Sequence, residues 1–224
     1  MFPINDTEPN RYTPFASMTL ALIAVNTLLL FLGPAITWES LMRYGFTPRL
    51  VLHREGAGML SGITAMFFHA GFFHLFGNMF ALWVFGRRVE DACGPWRFLL
   101  FYLLAGACAD IVTLLVHYDS LIPTIGASGA IFGVMGAYLL LYPQGRIRTL
   151  IILKIIPVWP KLRAVWVVLY FLGVQIIPAV EIALHGEDYQ VAYWAHLGGF
   201  IAAIFTPLFL RSEAFARYLS NVDV

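Results

Sequence analysis

The chain has 224 residues, of which 60% are apolar and only 12% charged, against about 45–50% and about 25% in an average soluble protein. A chain this short cannot hide so much apolar side chain in its own interior, so a soluble globular enzyme is excluded as the starting point and lipid is the expected solvent. A net charge of +1 gives no basic field for nucleic acid and no acidic tail for a cationic partner.

Residues 1–14 are rich in Asn, Asp, Pro and Thr and hold one Arg. They lack the basic start of a signal peptide and are expected to be a retained tail. Crossing a bilayer as a helix takes about 20 largely apolar residues. Six stretches meet that length: 15–35, 64–86, 98–117, 126–143, 162–184 and 191–210. Between the first two, residues 36–63 mix apolar side chains with Glu39, Arg43, Arg49, Arg54 and Glu55, which suits a segment lying in the outer interface. Residues 147–157 are too short to span, contain Lys154 and close on a proline; they too are expected at an interface. Residues 212–224 form a second tail, leaving 15–211 as one membrane domain. Cys93 and Cys108 have neither the number nor the spacing of a disulfide framework or a zinc site and read as packing residues. No pair of matching interrupted spans of the kind transporters use is present.

Short basic loops stay on the cytoplasmic side. Eleven of the 14 Lys and Arg fall in the tails and in the second and fourth connections, and the other three lie in the first. Both termini are therefore expected in the cytoplasm. With that orientation the second, fourth and sixth stretches all enter from outside, and their polar residues fall at one depth: His69, His74 and Asn78, then Ser128, then His196.

Polar groups inside a membrane are costly, so each is a candidate functional residue. His74 and Asn78 are four apart and share a helix face. Ser128 falls in the first turn of its helix, where free backbone N–H groups and the helix dipole favour developing negative charge. A serine nucleophile needs a base, and His196 is the candidate. Gly126, Gly129, Gly133 and Gly136 form a small-residue stripe, and His196, Gly199 and Ala203 form another; such stripes let membrane helices approach closely. A zinc protease would want His-Glu-x-x-His, which is absent, and an aspartyl protease would want two paired membrane carboxylates. Asp110 reads as a bundle hydrogen-bonder and Glu181 as near-interface, while His53, His117 and His185 read as solvated. Each residue alone has a structural reading: a serine among glycines as packing, a membrane histidine as a hydrogen-bonder. Their co-location opens the catalytic one.

Those residues resemble the rhomboid intramembrane serine proteases. The second stretch, from His69 through His74 to Asn78, is similar to the family's His-x4-His-x3-Asn. Gly86, Val89-Glu90, Gly94, Arg97-Phe98 and Tyr102 resemble its scaffold pattern. Gly126-Ala127-Ser128-Gly129 matches Gly-x-Ser-Gly, and Ala195-His196-Leu197-Gly198-Gly199 matches the histidine helix. The resemblance runs from about Phe15 to Leu210. It implies an all-α polytopic bundle of six transmembrane helices and a Ser128–His196 dyad without a third carboxylate. It further implies oxyanion stabilisation by the Ser128 N–H with His74 and Asn78, and a structural role for His69 in the first outer loop. Substrates would be membrane proteins cut in or near their transmembrane helices, toward the outer face, with no cofactor, metal, nucleic acid or obligate partner. The short tails suit a prokaryotic plasma membrane. Three positions depart from the pattern. Leu60-Ser61 stands where a Trp-Arg pair is common, Phe132 where a Tyr is frequent, and Ala203 where Gly is common. Phe132 can still stack on His196, and Gly126, Gly129 and Gly199 keep their places around the site. Two rivals stand beside this reading: a non-catalytic binder on the same scaffold, which predicts loss of the Ser or His, and a transporter or channel, which needs a polar path across the whole bilayer.

Overall fold

The computed structural model describes residues 2–7, 9–154, 156–185, 193–220, 222 and 224; the side chains of 153, 178–179 and 181–185 lie outside that description. Strand β1 (Phe2–Asp6) is followed by α1 (Ser17–Leu32), α2 (Trp38–Tyr44), α3 (Pro48–His53), α4 (Leu60–Ala65), α5 (Phe72–Ala81), α6 (Arg87–Cys93), α7 (Pro95–Val116) and α8 (Ser128–Leu141). Strands β2 (Arg146–Leu153), β3 (Ile156–Val158) and β4 (Lys161–Arg163) then lead into α9 (Ala164–His185), α10 (Tyr193–Ile201) and α11 (Ser212–Leu219). A π-helical turn, Leu82–Gly86, joins α5 to α6, and a 3-10 stretch, Ala202–Phe209, extends α10.

Every apolar stretch named above contains a helix, but lengths differ. Among the described residues α7, with 22, is the one helix long and apolar enough to cross a membrane alone. The α10 region bends by 109° into α11, and α1 and α8 are shorter apolar helices. The second stretch departs from a single helix. It is broken at residues 66–71, so His69 precedes α5 rather than riding on it. The fourth starts its helix at Ser128, leaving Gly126 outside. The start of the sixth at Val191, together with Glu181 and His185, falls outside the described residues and side chains.

Helices α7, α8 and α10 form the centre. Residues Phe98, Phe101, Tyr102, Ala105, Val134, Ala137 and Ala202 are fully buried there. A Cβ on Gly129 would lie 2.6 Å from Ala109 Cβ, and one on Gly136 would lie 2.7 Å from Ala203 Cβ. One on Gly199 would run into the Gly129 carbonyl, and one on Gly133 into Ala105. The glycine stripe of α8 therefore faces two neighbours, α7 and α10, with backbone nearly touching backbone. Gly126 is not part of it.

The other end of the bundle is clasped by carboxylates. Glu90 accepts hydrogen bonds from the N–H groups of Met18 (2.9 Å) and Thr19 (2.7 Å). This satisfies two orphan donors at the start of α1 and places negative charge at its N-terminus. Asp91 accepts from the N–H groups of Arg11, Tyr12 and Thr13 at 2.6–2.9 Å. The segment read as a plain tail carries β1, which pairs antiparallel with β2, Phe2 opposite Leu150 and Asp6 opposite Ile147. Of the segment read as interfacial, residues 147–153 and 156–157 belong to this four-stranded sheet. Asp6 is buried: it accepts from the Tyr138 hydroxyl at 2.7 Å and pairs with Arg88 at 3.3 Å. Arg88 also stacks over Tyr142 and donates to the Pro9 carbonyl.

Removing one partner of a buried ion pair leaves the other uncompensated. Asp6→Ala should therefore destabilise the protein by about 3 kcal/mol. Tyr138→Phe, which removes one hydrogen bond, should cost about 1 kcal/mol. Thermal unfolding in detergent orders the two, and an unshifted midpoint for Asp6→Ala would show that the clasp carries no stability.

Candidate active site

Ser128 opens α8, and His196 stands in the first turn of α10. Because Gly129 and Gly199 let these two helices meet, the hydroxyl and the imidazole near their N-terminal ends are brought within reach of one another. The Ser128 Oγ lies 2.6 Å from His196 Nε2. Phe132, one turn along α8 from Ser128, stacks on the His196 ring with centroids 4.6 Å apart and planes 15° from parallel. His196 is buried.

Opposite the pair stands α5. The Ala70 N–H donates to Nδ1 of His74 at 3.3 Å. A neutral imidazole bonded in this way carries its proton on Nε2. That nitrogen points across the cleft toward Gly126, where a Cβ would come within 2.7 Å of it. Asn78 Nδ2 borders the same glycine, is buried, and has no hydrogen-bond partner among the described residues. Gly126 itself has φ +113°, a left-handed conformation suited to glycine, and its N–H donates to the Ala65 carbonyl at 2.8 Å. Nε2 of His74 and Nδ2 of Asn78 thus both face Gly126, two residues before Ser128, whose own N–H stands at the first position of α8, where no intrahelical acceptor is available. His69 is buried and meets His74 edge-on, with centroids 5.0 Å apart. It props the ring of His74 and lies off the cleft.

The cleft between α5, α8 and α9 holds about 430 Å³. His74, Asn78, Ser128 and His196 line its polar end, while Phe85, Ile131, Met135 and Phe171 line the apolar remainder, with Pro3 of β1 at its foot. Behind Ser128 a second space of about 30 Å³ borders Thr124, Gly126 and Asp110, enough for one water. Asp110 also lies against Gly62, where a Cβ would come within 2.5 Å of its carboxylate. The segment between α2 and α3 is tied to this wall by paired backbone hydrogen bonds between Phe46 and Thr124, each 2.9 Å. Ser61, at the departing Leu60-Ser61 pair, turns back to donate to the Gly58 carbonyl. His53 is exposed and His117 half-buried at the end of α7. Among the described residues no three His, Cys, Asp or Glu side chains gather in a way that could hold a metal.

One contact escapes the sequence reading. Gln175 of α9 places its Oε1 2.6 Å from Nδ1 of His196. The signal for it was present: Gln175 is a polar residue inside an apolar run, of the kind singled out elsewhere in the chain, but it is neutral and belongs to no recognised motif.

Gly199→Ala would drive a methyl group into the Gly129 carbonyl and force α8 and α10 apart. The expected loss is about 1–3 kcal/mol, as for an overpacked core. Thermal unfolding measures it, and a variant as stable as the parent would contradict the close helix approach.

A family model described as the Rhomboid domain matches residues 57–213. The chain is 36% identical over 127 residues to the rhomboid protease GluP of Bacillus subtilis, covering 55% of this chain and 24% of that protein. It is 30% identical over 167 residues to rhomboid protein 1, mitochondrial, of Saccharomyces cerevisiae, covering 72% of this chain and 44% of that protein. It is 46% identical over 77 residues to RHOMBOID-like protein 6, mitochondrial, of Arabidopsis thaliana, covering 34% and 24%. The matches thus span from about a quarter to under half the length of these curated relatives.

Proposed function

We propose, for a chain that belongs to the rhomboid family, that it is an intramembrane serine endopeptidase cutting membrane proteins in or near their transmembrane helices. Family membership brings with it a helical, polytopic, integral membrane fold. The finer reading has six spans within residues 15–211, both tails in the cytoplasm and the cleft open toward the outer face. The observation that carries the reading is the 2.6 Å contact between Ser128 Oγ and His196 Nε2, beside which Asn78 Nδ2 is buried without a hydrogen-bond partner among the described residues.

In this mechanism His196 takes the Ser128 proton as the hydroxyl oxygen attacks the scissile carbonyl. The oxygen of the tetrahedral intermediate becomes an anion and is held by the Ser128 N–H, Asn78 Nδ2 and His74 Nε2. Donors already aimed and unpaired need no reorganisation when that charge appears. His196 then returns its proton to the leaving amine, and water hydrolyses the acyl-enzyme by the same steps. Phe132 holds the imidazole plane throughout, and His69 supports His74. The chemistry draws on no cofactor.

A covalent serine-hydrolase probe tests the assignment. Ser128→Ala and His196→Ala should abolish both labelling and cleavage of a transmembrane substrate. Asn78→Ala should slow cleavage by about 10²–10³, the typical loss for one oxyanion donor. Full-rate cleavage by Ser128→Ala would overturn the proposal.

A further inference from the structure

The dyad reading leaves one ring nitrogen of His196 without a role, and α9 supplies its partner. We infer that Gln175 is a positioning residue that locks His196 in the tautomer able to take the serine proton. This rests on the Ser128–His196 reading above and deepens it.

The two contacts of the ring are mutually consistent. An imidazole that accepts a hydroxyl proton at Nε2 must be neutral and carry its own proton on Nδ1. Nδ1–H then requires an acceptor, and the amide oxygen of Gln175 lies 2.6 Å away. With the opposite tautomer, Nε2–H would face the serine and no lone pair would be free to receive the proton. Phe132 fixes the ring plane, but stacking cannot distinguish the two tautomers. A hydrogen bond to Nδ1 can.

Placement on α9 supports the same role. Phe171, four residues earlier and so on the same helix face, lines the cleft. Val174, Ile176 and Ile177 around Gln175 are exposed apolar residues. An amide in such a run is costly unless it is hydrogen-bonded, and the His196 contact meets that need. The neutral amide also differs in kind from a carboxylate. A carboxylate at this distance would stabilise the imidazolium and raise the basicity of the ring, at the desolvation cost of a buried ion. Glutamine orients the ring without adding charge. The ionisable groups around the site are His74 from α5, facing His196, and Asp110 from α7, beyond Ser128.

The experiment compares the full chain with Gln175→Leu, Gln175→Asn and Gln175→Glu in lipid nanodiscs. It reads the rate of fluorophosphonate labelling of Ser128 against pH, and the ¹⁵N spectrum of His196, assigned by its loss in His196→Gln. Gln175→Leu keeps the side-chain bulk but loses the acceptor. It should label about tenfold more slowly, the rate equivalent of one hydrogen bond, with Nδ1 no longer uniformly protonated. Gln175→Asn, one carbon too short, should behave like the leucine variant. Gln175→Glu should restore the Nδ1–H tautomer and move the acid limb of the pH profile upward, a shift that a merely structural role would not produce. Labelling by Gln175→Leu at the parental rate with an unchanged tautomer would overturn the inference. Absence of labelling in the parent chain would instead sink the protease reading, and the nitrogen spectra would still decide whether Gln175 sets the tautomer.

Discussion

The contact between Ser128 and His196 depends on two helix backbones coming together with no side chain between them. Gly129 and Gly199 face each other so closely that a single methyl on Gly199 would strike a carbonyl oxygen. Helices in lipid gain nothing from hiding apolar surface from one another, so they associate through such close packing. Here the packing also sets the separation of a hydroxyl and an imidazole on the two facing helices. Gly133 and Gly136 extend the same seam inward, against Ala105 of α7 and Ala203 beyond α10. Fold and site share one determinant, so substitutions along this seam act on both together.

Around that seam the polar groups divide by position. Beside the dyad, Asn78 Nδ2 is buried without a partner among the described residues. Such an arrangement costs stability and is typical of places where a ligand or transition state supplies the missing acceptor. At the opposite end, carboxylates engage a run of backbone donors, although the Tyr12 and Thr19 hydroxyls are buried there without a hydrogen-bond partner among the described residues. Glu90, Asp91, Asp6 and Arg88 between them hold the chain before α1, the first turn of α1 and the far end of α8.

Much of this was legible in the sequence because it is local. Long apolar runs set by the lipid solvent marked where helices lie. The four-residue spacing of His74 and Asn78 put them on one face, and the Gly-x-Ser-Gly segment put Ser128 at a helix start. What was missed depends on context. Hydropathy continues smoothly through 66–71, so the break before α5 leaves no trace in it. Residues Arg146 to Thr149 alternate exposed and buried, the period of a strand. Their partner lies some 140 residues away at Phe2–Asp6, beyond any local pattern. Gly126 fits the stripe by spacing, but its positive φ lifts it out of the helix. Gln175 carries no charge and no motif, and its meaning appears only when α9 is laid beside α10.

The clasp at the far end of α8 has an angular consequence. Ser128 and Tyr138 stand ten residues apart in α8, about 15 Å along the helix. A tilt of two degrees about Tyr138 would swing the serine oxygen by about 0.5 Å, which is the roughly 0.5 Å tolerance within which reacting groups must be held. Asp6 and Arg88 lie far from the hydroxyl, yet they occupy the pivot of this lever, and the aim of the distant oxygen is only as steady as the fulcrum they build.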